Sequence, residues 1–127
     1  MPIERVNPDN VYSLKGLSAT VKIGREVYIS GQVALDKNLQ TVGIGDCEAQ
    51  LKQIYKNLED LCMAHGGSLA NLVKTVTYIT DLSQYPAVSK AREEAYGDTP
   101  PANSTIVVSG LAKPEWLIEI EGIAYIE

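Results

Sequence analysis

Apolar and polar residues alternate from Ala19 to Ile23, with Ala19, Val21 and Ile23 set against Thr20 and Lys22, the period of a half-buried strand. Gly24-Arg25-Glu26 interrupts the run, and Val27-Tyr28-Ile29-Ser30 supplies the return strand of a hairpin. The stretch before it, Arg5 to Tyr12, holds Asn7, Pro8, Asp9 and Asn10 and reads as an irregular lead-in. After a polar loop bracketed by Asp36-Lys37-Asn38 and Gly43-Ile44-Gly45, the period changes. Leu51, Ile54, Leu58 and Leu61 form one stripe of an amphipathic helix. Asp46 is its expected N-cap, Glu48 suits the positive end of the dipole, and His65-Gly66-Gly67 ends it with a left-handed glycine.

Leu72 to Thr80 is rich in β-branched residues and predicts a strand. A second helix is expected from near Tyr85 to Tyr96, closing at Gly97, and Pro100-Pro101 forces extended backbone after it. Ser104 to Ser109 and Leu117 to Ile126 complete the strands. The predicted order is β-β-α-β-α-β-β, an α+β fold in one domain spanning 1–127, with both helices on one face of a mixed sheet. In the last strand Ile118, Ile120, Ala124 and Ile126 make an apolar face, while Glu119, Glu121, Ile123, Tyr125 and Glu127 make a mixed one. In the middle strand the alternation groups Val73 and Ile79 with Thr75 and Thr77, and Leu72, Val76 and Tyr78 with Lys74. Such mixed faces suit a sheet covered by helices on one side and by another subunit on the other.

The 127 residues are 45% hydrophobic and 21% charged, which is ordinary globular composition. Eleven basic residues against sixteen acidic ones give a net charge of −5. A chain this acidic, with no basic run, lacks the footprint of a phosphate-backbone binder, so no nucleic acid partner is expected. No membrane span and no signal-peptide pattern is visible, and the expected location is the cytoplasm. The two cysteines, Cys47 and Cys62, fall in one predicted helix. Their 15-residue spacing there corresponds to roughly 22 Å, too far for a disulfide.

Few residues can carry chemistry. The single histidine, His65, sits at a helix end, and nothing has zinc-ligand spacing, so no metal site is expected. There is no Gly-x-Ser-x-Gly turn for a serine hydrolase. Gly43-Ile44-Gly45 opens a helix, but Asp46 and Glu48 would repel a phosphate there. Glu119 and Glu121 remain, on one strand face about 7 Å apart by the strand rise. They are either a solvated pair or a carboxylate in a cleft that exchanges protons with water or substrate. Ser30-Gly31-Gln32 is equally two-sided: a strand-ending turn or a cleft lining.

Several segments together resemble the YjgF/RidA (Rid) superfamily: Ile29-Ser30-Gly31-Gln32, Val73-Lys74-Thr75-Val76, Thr80-Asp81-Leu82, Pro100-Pro101-Ala102-Asn103-Ser104 and Ile118-Glu119-Ile120-Glu121-Gly122-Ile123-Ala124. The resemblance covers nearly the whole chain in the right order. It implies a chorismate-mutase-like fold assembled as a homotrimer, with a metabolite-binding cleft at each subunit interface. It also implies cofactor-free hydrolysis of reactive enamines and imines, such as 2-aminoacrylate, to a 2-keto acid and ammonia. In that family an arginine after Pro-Pro-Ala holds the substrate carboxylate, and the first glutamate of Ile-Glu-Ile-Glu positions water.

Here the glutamate is kept as Glu119, but the arginine position is Asn103. Leu17 replaces the pocket tyrosine and Ser89 the pocket asparagine of the second helix; Ser30 and Gly31 are retained, and Thr105 sits beside the missing arginine. Loss of a charge-assisted bidentate contact costs roughly 1.5–3 kcal/mol of binding. None of Arg5, Arg25 and Arg92 is placed by sequence to replace it, whereas a neighbouring subunit would have Lys74, Lys113 or Arg92 to offer. The resemblance therefore implies an arginine-lacking branch: a hydrolytic deaminase with little activity on small 2-imino acids. The alternative is a trimer that binds a small metabolite in the same cleft without catalysis. An RNA-cleaving role fits poorly with the charge and the lone histidine.

Overall fold

The computed structural model describes all 127 residues, Met1–Glu127. Three strands open the chain: β1 (Ile3–Val6), β2 (Thr20–Ile23) and β3 (Glu26–Gln32). Helix α1 (Cys47–Met63), β4 (Leu72–Ile79), α2 (Tyr85–Tyr96), β5 (Ala102–Val107) and β6 (Ile118–Tyr125) follow. The six strands form one sheet in the order β1-β2-β3-β6-β4-β5. Every pairing is antiparallel except β4 with β5. Strands β3, β4 and β5 therefore run the same way, and α1 and α2 are the crossovers joining them in that sequence. Two crossovers of the same hand advancing in one direction put both helices on one face.

The order differs from expectation at the start, where Ile3–Val6 is a strand rather than part of the lead-in. Its side chains are mostly exposed and show no alternation; backbone pairing with β2 alone makes it a strand. The faces of β4 also differ. Its register against β6 slips between Leu72 and Lys74, so Leu72 faces Ala124 and joins Thr75, Thr77 and Ile79 on the helix side. Val73, the extra residue, is 50% exposed.

Helix α1 supplies the centre of the core. Its stripe of Leu51, Ile54, Leu58 and Leu61 is fully buried against Ile118, Ile120 and Ala124 of β6 and Val27 and Ile29 of β3. The Asp46 carboxylate accepts the Ala49 N–H at 3.1 Å, which caps the helix start. At the other end Gly66 takes φ +83° and Gly67 N–H returns to the Cys62 carbonyl. Cys47 and Cys62 lie at opposite ends of α1, both unpaired.

Gln50, fully buried, ties α1 to the chain that enters β6. Its Nε2 donates to the Gly43 and Glu115 carbonyls at 3.1 and 2.9 Å, and its Oε1 accepts the Leu117 N–H at 3.0 Å. The start of β6, and with it Glu119, is thereby fixed by a side chain of α1. No helix is long and apolar enough to cross a membrane.

Candidate functional site

The sheet face away from the helices carries the acidic pair. Glu119 lies opposite Tyr78 and Glu121 opposite Val76 in the β6–β4 ladder. The Tyr78 hydroxyl donates to Glu121 Oε1. Glu119 is half-buried, and that burial, followed by the neighbouring Glu121 charge, holds its carboxyl above the ordinary glutamate range. Neither cause is a hydrogen bond, so no protein donor holds the carboxylate in its charged form. A carboxyl with a raised pKa, free of internal partners, suits proton exchange with water or substrate.

Strand β3 builds the wall beside it. Ile29 pairs with Gly122 and Gln32 with Ile120, so Ser30 and Gly31 together stand against Glu121 alone, which is a β-bulge. A Cβ at Gly31 would collide with the Glu119 carboxylate, so any larger residue there would have to displace that side chain. Ser30 Oγ donates to the Ser18 carbonyl at 2.6 Å, which anchors the bulge to the loop carrying the half-exposed Leu17. Ser30, Gly31 and Glu119 thus belong to one neighbourhood, and Leu17 is next in sequence to the Ser18 anchor.

Asn103, Thr105 and Ser89 belong to another. In the parallel β4–β5 ladder Asn103 faces Thr75 and Thr105 faces Thr77, both on the helix side of the sheet. Thr75 and Thr77 hydroxyls donate to Asn103 Oδ1 at 2.9 and 3.1 Å, and Asn103 Nδ2 donates to Thr105 Oγ1 at 3.0 Å. Ser89 lies half-buried on α2, in the same helix layer. The predicted site residues therefore fall into two groups on opposite faces, and one chain does not bring them together.

The candidate cations are distributed as follows. Arg92 donates to the Tyr85 hydroxyl and stacks on its ring, and Lys113 lies over Trp116. Arg25 pairs with Glu127. Lys74 shares the face of Val76 and Tyr78, where Glu119 and Glu121 also lie, and the ladder register puts Arg5 on that face too, at the β1 edge. No three histidine, cysteine, aspartate or glutamate side chains converge to hold a metal ion. Burial pushes the Cys62 thiol up to about 12 and raises that of Cys47, so neither is a ready nucleophile. The sole histidine lies elsewhere, its Nε2 2.8 Å from Thr20 Oγ1. A groove of about 570 Å³ runs between α1 and α2, lined by Asp46, Tyr55, Lys90 and Glu94 among others, and none of the predicted site residues lines it.

Sequence reasoning missed Tyr12. It is buried, and its hydroxyl accepts the Val33 N–H at 3.2 Å and donates to the Gly31 carbonyl at 3.4 Å, directly beside the Glu119 wall. The only sequence signal was an aromatic residue closing a polar lead-in. Its partners are 19 and 21 residues away.

The profile of the family described as Endoribonuclease L-PSP matches residues 8–126. A 3-aminoacrylate deaminase RutC from Acinetobacter baylyi is 31% identical over 127 residues, covering 99% of this chain and all of that protein. A RutC family protein of Pyrococcus abyssi is 32% identical over 110 residues, or 87% of this chain and 86% of the relative. Among solved structures, RidA from the Antarctic bacterium Psychrobacter sp. superposes with a TM-score of 0.90 at 32% identity, covering 97% of this chain and 99% of that one.

Proposed function

Because the chain belongs to the Endoribonuclease L-PSP family, which includes the RidA and RutC proteins, we propose that it is a cofactor-free hydrolytic deaminase of a reactive enamine or imine. The observation that carries this reading is the Glu119 carboxylate: half-buried, raised in pKa and pressed against Gly31. In the proposed reaction Glu119 orients a water and takes its proton as the oxygen attacks the imine carbon. The same carboxyl returns that proton to the nitrogen, giving a carbinolamine; it then takes the hydroxyl proton and passes it to the nitrogen as the C–N bond breaks, and a carbonyl compound and ammonia leave. One imine and one water are consumed, and no electrons are exchanged.

The active cleft in this reading spans two subunits of a homotrimer. Leu17, Ser30, Gly31 and Glu119 come from one chain, and Ser89, Asn103 and Thr105 from its neighbour. Two observations support an oligomer: the opposite-face arrangement of the two groups, and the exposed Tyr28, Ile106 and Tyr125 on the sheet face that no helix covers. Patches of this kind mark protein contacts.

Asn103 sets the branch. Its amide is engaged by three threonine hydroxyls and offers no positive charge, so the recognised group is neutral rather than a small carboxylate. RNA cleavage is disfavoured by the net charge of −5 and by a single histidine bonded to Thr20.

The test follows imine decay in buffer, with wild type and with Glu119→Gln, using two sets of imines. One set is 2-imino acids released by an amino-acid oxidase, and the other is uncharged imines released by an amine oxidase. Wild type is expected to accelerate decay of the uncharged imines more than the 2-imino acids, and Glu119→Gln to remove the acceleration. No acceleration of either class, with either kind bound, would leave the non-catalytic binding trimer as the correct reading.

A further inference from the structure

We propose that Tyr12 is a positioning residue for Glu119, its hydroxyl clamping the Gly31–Val33 segment of the β3 bulge against the carboxylate. At this bulge the β3–β6 ladder skips, and side chains take over as partners. Ser30 Oγ reaches the Ser18 carbonyl, and Gln32 Nε2 donates to the Ser30 carbonyl at 3.0 Å. Both belong to β3 itself. Tyr12 comes from outside the strand and holds the segment on both sides of Gln32: it receives the Val33 N–H and gives its own hydrogen to the Gly31 carbonyl.

A phenol is suited to this because one oxygen is donor and acceptor at once. Phenylalanine would fill the same space and leave both backbone groups without partners. The one unpartnered buried atom of the segment, Gln32 Oε1, is an acceptor, so it offers nothing to the Gly31 carbonyl. Gly31 is in turn the wall on which the Glu119 carboxylate rests. Any outward movement of Gly31 admits water to Glu119 and changes where its oxygens sit. Burial raises the Tyr12 phenol, the Val33 hydrogen bond opposes that rise, and the nearby Glu119 charge adds to it.

The proposal depends on the deaminase reading only for its kinetic consequence, so the experiment has two arms. In the first, the Glu119 carboxyl is titrated by NMR in carbon-13 glutamate-labelled protein and assigned with Glu119→Gln. In Tyr12→Phe its midpoint is expected to fall toward the ordinary glutamate value. In the second, imine turnover by Tyr12→Phe is expected to lose kcat on the order of tenfold, within what small misplacements of a reacting group cost, with KM little changed.

Should Tyr12→Phe not fold, Glu119→Gln keeps the question open to test from the other side. It should lower the titration midpoint of the Tyr12 ring, read in carbon-13 tyrosine-labelled protein. A Glu119 midpoint and a kcat that both stay at wild-type values in Tyr12→Phe would overturn the proposal, even if the variant melts lower. So would a Tyr12 midpoint indifferent to Glu119→Gln. Absence of imine turnover in wild type counts against the deaminase reading, while the titrations still decide the role of Tyr12.

Discussion

Asn103 and Glu119 point to opposite faces of the same sheet, on strands β5 and β6 that flank β4. In the proposed function a ligand touching both lies between two chains. For the proposed homotrimer, sedimentation equilibrium is expected to give about three times the 13.8 kDa chain mass. Substituting Tyr28 and Ile106 together by glutamate should shift the population toward monomer, because both lie on the uncovered face. A monomer that is fully active would separate the site from the assembly.

Glu119 should also be visible in stability. Its pKa in the folded chain is raised by burial and by Glu121, so the unfolded state releases its proton first as pH increases. The favourable protonated form is retained below the ordinary glutamate value and lost as pH rises through the higher folded value. Glu119→Gln is therefore expected to melt higher than wild type at pH 8 and equally at pH 3. Thermal denaturation at the two pH values reads this directly.

His65 titrates with the opposite consequence. Burial, then the nearby Lys22, lowers its pKa, with Glu4 opposing. Thr20 Oγ1 donates to the Val6 carbonyl, so His65 Nε2 is the donor in their contact, and the neutral ring already satisfies it. Because the unfolded chain binds the proton more readily, stability should fall as pH drops below about 6.5 toward the lowered folded value. His65→Asn should flatten that part of the stability profile. As the only histidine, it gives an unambiguous NMR titration.

Gln50→Leu leaves the Leu117 N–H and the Gly43 and Glu115 carbonyls without their partner. The loss should cost about 1–3 kcal/mol per group left unsatisfied in the interior. Urea unfolding measures it. Because Leu117 leads into Ile118 and Glu119, imine turnover should fall as well, although Gln50 lies on the far side of β6 from the carboxylate.

What could be read from the chain alone follows the physics of each element. Helix α1 was legible because four apolar residues at helical spacing, an Asp46 cap and a Gly66 stop all agree. Strand β1 was not, since backbone pairing with β2 makes it and its side chains face water. The two register slips, at Ser30-Gly31 and at Val73, are set by pairing with β6, which strict alternation does not reveal. For the same reason Leu72 and Val73 were assigned to the wrong faces. Glu119 stood out only as one of a pair, and its burial comes from β3, which is distant in sequence. The opposite orientation of Asn103 required the β5 register, and Tyr12 required knowing where the bulge would form.

The most direct measurement mixes two inactive variants. Glu119→Gln supplies an intact Asn103 half, and Asn103→Trp an intact Glu119 half; the two are co-refolded and assayed for hydrolysis of uncharged imines. A cleft shared between chains predicts recovery of about a quarter of wild-type turnover, the share of sites that random assortment completes. Turnover no higher than that of the two variants alone, with wild type active under the same conditions, would contradict a site built from Glu119 of one chain and Asn103 of the next.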